Sequence, residues 1–154
     1  TGRNMLLWDG ACHVHEKFSV EKILELKKQY PDAKVLVHPE CKGTVVKLAD
    51  KVGSTAALLK YSISDSSDTF IVATESGILH EMQKARPEKT FIPAPPSDST
   101  CACNECSYMK LVTMQKLYDC LKNEAPEIHV DAQVAEKAIV SINRMLEISE
   151  KLGL

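Results

Sequence analysis

An α/β fold is predicted from three observations. Short apolar runs recur at residues 5–8, 33–38, 69–74 and 90–94, each bounded by Gly, Pro or Asp. Helix-period apolar stripes fill the gaps between them. Strands alternating with helices of these lengths make βαβ units, hence a parallel sheet with right-handed crossovers. The expected unit is a three-layer α/β/α domain with a short parallel sheet. After residue 94 the pattern changes to helices with no strands of their own, whose apolar stripes need a sheet from elsewhere to cover.

Taken in order, the run at 5–8 is an early strand that needs neighbours on both sides, which suggests sequence upstream. Ser19 is a good N-cap, with Glu21 in the first turn and Ile23, Leu24 and Leu26 facing inward; that helix stops before Pro31-Asp32. Val45, Leu48, Ala49 and Val52 form an i, i+3, i+4, i+7 stripe, predicting a helix that ends at Gly53. A short helix is expected over 55–60, and another over 78–85, stopping before Pro87. Residues 95–100, Pro-Pro-Ser-Asp-Ser-Thr, read as a loop. Two helices follow. One spans 109–123 with Leu111, Met114, Leu117, Tyr118 and Leu121 on one side. The other is capped by Asp131, with Val134, Ala138, Ile142 and Met145 on its stripe. Cys120 sits in the first of these and reads as core.

The 154 residues are 44% hydrophobic with net charge −2, enough apolar material for a real core. Acids and bases are mixed, so neither a nucleic-acid footprint nor a basic membrane patch is expected. No apolar run is long enough to span a bilayer, and no leader peptide stands out. The six cysteines fit an intracellular metal or cluster role better than a disulfide scaffold.

Ligands of open parallel sheets bind beyond the carboxyl ends of the strands. The first predicted strand runs into Asp9-Gly10-Ala11-Cys12-His13-Val14-His15-Glu16, the second into His38-Pro39-Glu40-Cys41, the third into Thr74-Glu75-Ser76-Gly77. The fourth leads to a loop holding Cys101, Cys103 and Cys106. Metal-capable and acid–base side chains thus collect on one edge. Spacing alone leaves zinc, an iron–sulfur cluster and a redox pair open for the three clustered cysteines. Gly53-Ser54-Thr55 opens a helix whose free N–H groups suit an anion, although on spacing alone ordinary capping, with Gly53 ending one helix and Ser54 starting the next, is the better explanation. His80 and His129 read as structural or exposed.

Together these segments resemble the quinolinate synthase family over essentially the whole chain. The matching stretches are Trp8-Asp9-Gly10-Ala11-Cys12 with His15-Glu16, Leu36-Val37-His38-Pro39-Glu40, Ala49-Asp50 with Val52-Gly53-Ser54-Thr55, Ala73-Thr74-Glu75 with Gly77, Cys103-Asn104-Glu105-Cys106-Ser107-Tyr108-Met109, and Arg144-Met145-Leu146. Their order and spacing together are what is specific. The resemblance implies a transferase of NAD biosynthesis that condenses iminoaspartate with dihydroxyacetone phosphate to quinolinate. The implied fold is three similar α/β/α domains around a pseudo-threefold axis, with a central [4Fe–4S] cluster held by one cysteine from each domain. Here the metal ligands would be Cys12 and Cys106, the third lying outside the chain. Glu40 and His38 would be catalytic. The substrate would meet His38, Glu40, Ser54 and Thr55, with His15 and Thr74 behind them. Cys41, Cys101 and Cys103 are not expected ligands. Apart from the resemblance, the CxxC spacing puts Cys103 and Cys106 close enough to form a redox pair.

The resemblance also divides the chain. Residues 1–12 would close the second domain, 13–94 form the third, 95–108 carry the ligand loop, and 109–154 pack back on an absent first domain. It implies a cytoplasmic setting (a plastid in a plant) and a pathway partner, the oxidase or dehydrogenase that makes iminoaspartate. The chain alone would be inactive, with Leu111, Met114, Ile142 and Met145 partly exposed. The alternative is a zinc-binding module using Cys101, Cys103, Cys106 and a histidine, or a cofactor-free structural module.

Overall fold

The computed structural model describes residues 4–6, 8–98 and 104–153. They fall into two compact units, Thr1–Leu111 and Val112–Leu154.

The first unit is built on a four-stranded, all-parallel sheet of order β2-β1-β3-β4. Its elements are α1 (Val20–Gln29), β1 (Lys34–Val37), α2 (Gly43–Val46), β2 (Lys51–Val52), α3 (Thr55–Ser64), β3 (Thr69–Ala73), α4 (Ile78–Ala85) and β4 (Thr90–Pro93). Alternation along the strands gives each face its own core. Val35, Val37, Ile71 and Ala73 pack with Phe18, Ile23 and Val45 on one side. Leu36, Phe70 and Val72 pack with Leu58 and Met82 on the other. Helices α1 and α2 therefore cover one face and α3 and α4 the other, the three-layer α/β/α arrangement that a parallel sheet requires. Pro93 costs the ladder little because β4 is an edge strand.

Local chemistry sets the boundaries. Ser19 Oγ accepts from Lys22 N (3.2 Å) and donates to Glu21 Oε2 (2.9 Å), fixing the start of α1. The helix over 78–85 forms as expected.

Other expectations need correction. Residues 5–8 form no strand among the described residues; Met5, Leu6 and Trp8 are largely exposed. An extended segment gains strand structure only from a neighbour, and neither sheet edge pairs with this one. The helix expected over 45–52 stops at Val46, and Val52 belongs to β2. Asp50 explains this: its N donates to Val35 O (2.9 Å) and its Oδ2 accepts from Val35 N (2.7 Å). That two-point clamp turns the chain alongside β1, so the apolar spacing, compatible with a helix, is read as helix and then strand. The helix from residue 55 runs on to Ser64, because the Ser62 and Ser64 hydroxyls bond back to carbonyls one turn earlier instead of breaking it.

The second unit contains α5 (Met114–Asn123) and α6 (Ala132–Leu152). Thr113 caps α5, so the helix expected over 109–123 becomes a 3₁₀ turn at Met109–Leu111 followed by α5. Asp131 caps α6 by accepting from Gln133 N and Val134 N. Neither helix has a buried residue. Cys120, expected in a core, is exposed, since this pair of helices has no sheet of its own to enclose it. Met114, Ile142 and Met145 are exposed here, as is Leu111 at the end of the first unit. No helix among the described residues is long and apolar enough to cross a membrane.

Candidate functional site

The strand order places a topological switch between β1 and β3: the chain leaves β1 toward β2 and leaves β3 toward β4. Loops diverging at such a point open a crevice beyond the carboxyl ends of the strands. Here β1 runs into His38, Pro39 and Glu40, and β3 into Thr74 and Glu75. The two loops are tied where they part, His38 N donating to Ala73 O (3.1 Å).

A third segment enters the crevice. His15 sits on a 3₁₀ turn, His15–Lys17, held from below by the loop after β4. Phe18 and Pro96 form an antiparallel bridge, Ser97 N donates to Lys17 O (2.7 Å), and Lys22 Nζ donates to Pro96 O (2.8 Å). His15 is only 6% exposed. Its Nδ1 lies 3.1 Å from Glu40 Oε2 and its Nε2 3.1 Å from Thr74 Oγ1. Its ring stacks on His38, centroids 4.3 Å apart and 11° from parallel.

Burial, then the neighbouring His38, push the His15 pKa down, against opposing pulls from Glu40 and Glu75. His15 is therefore neutral near pH 7. The tautomer that satisfies both contacts donates from Nδ1–H to Glu40 and accepts the Thr74 hydroxyl at Nε2. His38 Nδ1 accepts from Glu40 N (3.3 Å), which leaves its ring proton on Nε2. Glu40 thus has one oxygen held, while its side chain remains 58% exposed. A carboxylate oriented in this way and open to an incoming molecule can accept or deliver a proton.

The cysteines divide by environment. Cys12 and Cys106 are free, half-buried, and both pack against the core cluster on the α1 and α2 side. Half-exposed thiols of this kind suit a soft metal or an iron–sulfur cluster. Cys41 is buried, its Sγ 3.5 Å from Ala73 O, and burial pushes its pKa up to about 12, so it stays a thiol. The expected redox partner of Cys106, Cys103, lies outside the described residues, as does Cys101.

The structure gathers Cys12, His15, His38, Glu40 and Thr74 into one crevice. Ser54 and Thr55 are exposed one strand away, past the carboxyl end of β2; Ser54 caps α3 by accepting from Ala57 N (3.3 Å). Two further positioning residues carried no separate role in the sequence. Glu75 accepts from Gly77 N (2.7 Å) and from Cys106 N (3.4 Å). Asn104 is buried, takes Ser76 N on its carbonyl (3.0 Å), and its side-chain amide donates to Ala94 O. Together they fasten the Cys106 segment to the ends of β3 and β4. The signal for both was their place inside the quoted motifs, Ala73-Thr74-Glu75 and Asn104-Glu105-Cys106.

The chain is similar to known proteins over nearly its whole length. The quinolinate synthase of Microcystis aeruginosa is 55% identical over 149 residues, which cover 97% of this chain and 46% of the relative. That of Thermosynechococcus vestitus is 54% identical over 97% of this chain and 47% of its own length. That of Chloroherpeton thalassium is 53% identical with the same 97% coverage. The chain thus spans about half the length of the curated relatives it matches. The family model described as quinolinate synthetase A protein matches residues 1–147, a span that takes in the crevice, both half-buried thiols and most of α6, and so this chain belongs to the quinolinate synthase family.

Proposed function

We propose that this chain forms part of the active site of a transferase that condenses iminoaspartate with dihydroxyacetone phosphate, giving quinolinate, phosphate and water in NAD biosynthesis. The observation that carries this reading is the His15 bridge. One neutral ring joins Glu40 from the β1 loop to Thr74 from the β3 loop at the switch point of the sheet. In this reading Cys12 and Cys106 hold a [4Fe–4S] cluster, with a third ligand from outside the chain. When bound, the cluster supplies a Lewis acid.

The protein's own groups do the rest. Glu40 moves protons during condensation and elimination, with His15 holding its carboxylate in line. Thr74 keeps the His15 ring in the right tautomer. The Nε2–H of His38 binds an anionic group of the substrate. Ser54 and Thr55 offer hydroxyls and free N–H groups at the start of α3 to a phosphate or carboxylate. Iminoaspartate would come from an oxidase or dehydrogenase in the same compartment, the cytoplasm or, in a plant, the plastid.

The test is to join this chain to the portion of its relatives that it does not span, reconstitute it anaerobically with iron and sulfide, and assay quinolinate. Turnover by the joined protein and none by this chain alone is expected. A joined protein that assembles its cluster but makes no quinolinate overturns the reading.

A further inference from the structure

Cys12, His15 and Glu40 each present one ligand atom, and these atoms all lie within 4.8 Å of one another. In a tetrahedral zinc site, with bonds of ~2.0–2.3 Å, neighbouring ligand atoms sit roughly 3.3–3.7 Å apart. His15 Nδ1 and Glu40 Oε2 are already 3.1 Å apart. Glu40 is exposed and its carboxylate can shift, so the Nδ1–Oε2 pair needs to open by a few tenths of an ångström and the longer separations to close by about one to match the tetrahedral spacing. An open cleft of about 500 Å³, lined by Trp8, Gly10, Ala11, Cys12, Glu16 and Glu40, lies on the solvent side.

We infer that Cys12, His15 and Glu40 form a three-ligand site for a thiophilic divalent cation of the Zn(II) class, with the fourth position open to the cleft. Three features support it. A thiolate, a neutral imidazole and a carboxylate together carry the charge of −2 that such an ion needs. The donor mix of sulfur, nitrogen and oxygen is the one Zn(II) and Co(II) accept in tetrahedral geometry. Finally, Thr74 is in place to orient the ring. With the ion on Nδ1, the His15 proton moves to Nε2 and donates to Thr74 Oγ1, the outer contact that metal-bound histidines use. Binding also displaces the Cys12 thiol proton to solvent. The site needs neither Cys106 nor the 101–103 cysteines, which separates it from a cluster and from a zinc knot on those residues. A consequence, which does rest on the proposed function, is that such an ion competes with the cluster for Cys12 and with substrate for Glu40.

The experiment titrates this chain, reduced and anaerobic, with Co(II) as the coloured probe and then displaces it with Zn(II). One equivalent should bind, with the visible bands of tetrahedral Co(II) and a thiolate-to-cobalt charge-transfer band. A variant with Cys101, Cys103 and Cys106 all changed to Ser should keep that spectrum, and so should Cys41→Ala. Cys12→Ser should lose the charge-transfer band. Glu40→Gln should weaken binding at least tenfold. Thr74→Val should weaken it by ~10-fold, with Thr74→Ser restoring it. Circular dichroism checks that each variant is folded; Cys12 and Glu40 lie at the cleft, so their variants decide the matter even where a change at buried His15 disturbs folding. The inference is overturned if the band survives Cys12→Ser, if it vanishes in the triple Cys variant, or if no stoichiometric uptake occurs. Quinolinate formation by the joined protein alongside such a failure would leave the proposed function standing and remove only this site.

Discussion

The two ends of the four-stranded sheet each gather ionisable side chains and use them differently. At the amino end, Lys89 is buried, with Nζ donating to Ser62 O (2.9 Å) and Asp65 O (2.5 Å) and lying over the Phe70 ring. These carbonyls belong to the last turn of α3, where a cation also meets the negative end of the helix dipole. Lys34 is shared by Asp65 and Tyr61, and Asp65 in turn accepts from Ser67 N (2.8 Å). An open cavity of about 430 Å³ lies at this end, comparable to the cleft of about 500 Å³ at the other. Volume therefore does not distinguish the two. What differs is closure: amino-end cations are engaged by backbone carbonyls and a carboxylate, whereas at the carboxyl end His15 holds one oxygen of a Glu40 that still faces solvent. The amino end stabilises the fold, and the carboxyl end is available for chemistry.

The largest expected effect tests the carboxyl end. In the joined protein, Glu40→Gln keeps the shape but cannot exchange protons, so kcat should fall on the order of 10²-fold with substrate binding little changed. Because Glu40 is exposed, the melting temperature should barely move. Normal kcat with raised KM would make Glu40 a binding group only. The reverse is expected of Lys89→Ala at the amino end. It strips the buried partner from two carbonyls and should cost about 1–3 kcal/mol in denaturant unfolding, while the folded fraction keeps its turnover. An activity loss larger than the unfolded fraction would erase the division between the two ends.

The amino-end networks were almost invisible in the sequence, and the carboxyl edge was partly legible, for physical reasons. Strands β1, β3 and β4 are short apolar runs bounded by turn residues, which is the signature of a buried strand, and α4 is bounded by Gly77 and Pro87. The run at 5–8 has the same composition, but a strand needs a neighbour, and composition cannot supply one. The 45–52 stripe fits a helix equally well, and only the clamp between Asp50 and Val35 decides against it. The edge rule collected His38, Glu40 and Thr74 correctly on one side. It did not reveal the central place of His15, because that rests on contacts to residues 25 and 59 positions away. Lys89 gave no signal at all, since its partners are backbone carbonyls, which carry no sequence signature.

An intermediate effect is expected from pH. The folded state holds His15 below its usual value of 6.5, mainly through burial. Its contribution to stability is therefore complete above pH 6.5, where both states are neutral. It is lost as the pH falls below that value toward the lowered folded pKa, because the unfolded chain takes up the proton first. The groups facing His15 are His38, Glu40 and Glu75, and Glu40 opposes the loss. Thermal unfolding followed from pH 7.5 down to about 5 should show falling stability, with a shallower fall in His15→Gln. An unchanged slope in the variant would place the acid sensitivity elsewhere.

The smallest effect should come from Lys34, and it divides the amino end itself. Hydrogen bonds from Ser67 and Tyr61 hold the Asp65 carboxyl far below its usual range; Lys34 contributes least among the causes. Lys34→Ala should therefore leave Asp65 ionised and its turn intact. What disappears is one partly exposed ion pair at 3.4 Å, whose attraction is offset by the cost of ordering a long side chain. At low salt a slight loss in melting temperature is expected. At ~1 M ionic strength the screening length shrinks to ~3 Å, and the difference from the unaltered chain should vanish. Lys89→Ala should keep its full deficit at the same salt, because its contacts are buried hydrogen bonds that ions do not reach. If the Lys34 deficit persists in high salt, this pair is part of the buried network and the amino end acts as one unit. If the Lys89 deficit is screened away, that lysine is solvated and the amino end lacks the closure that distinguishes it from the carboxyl end.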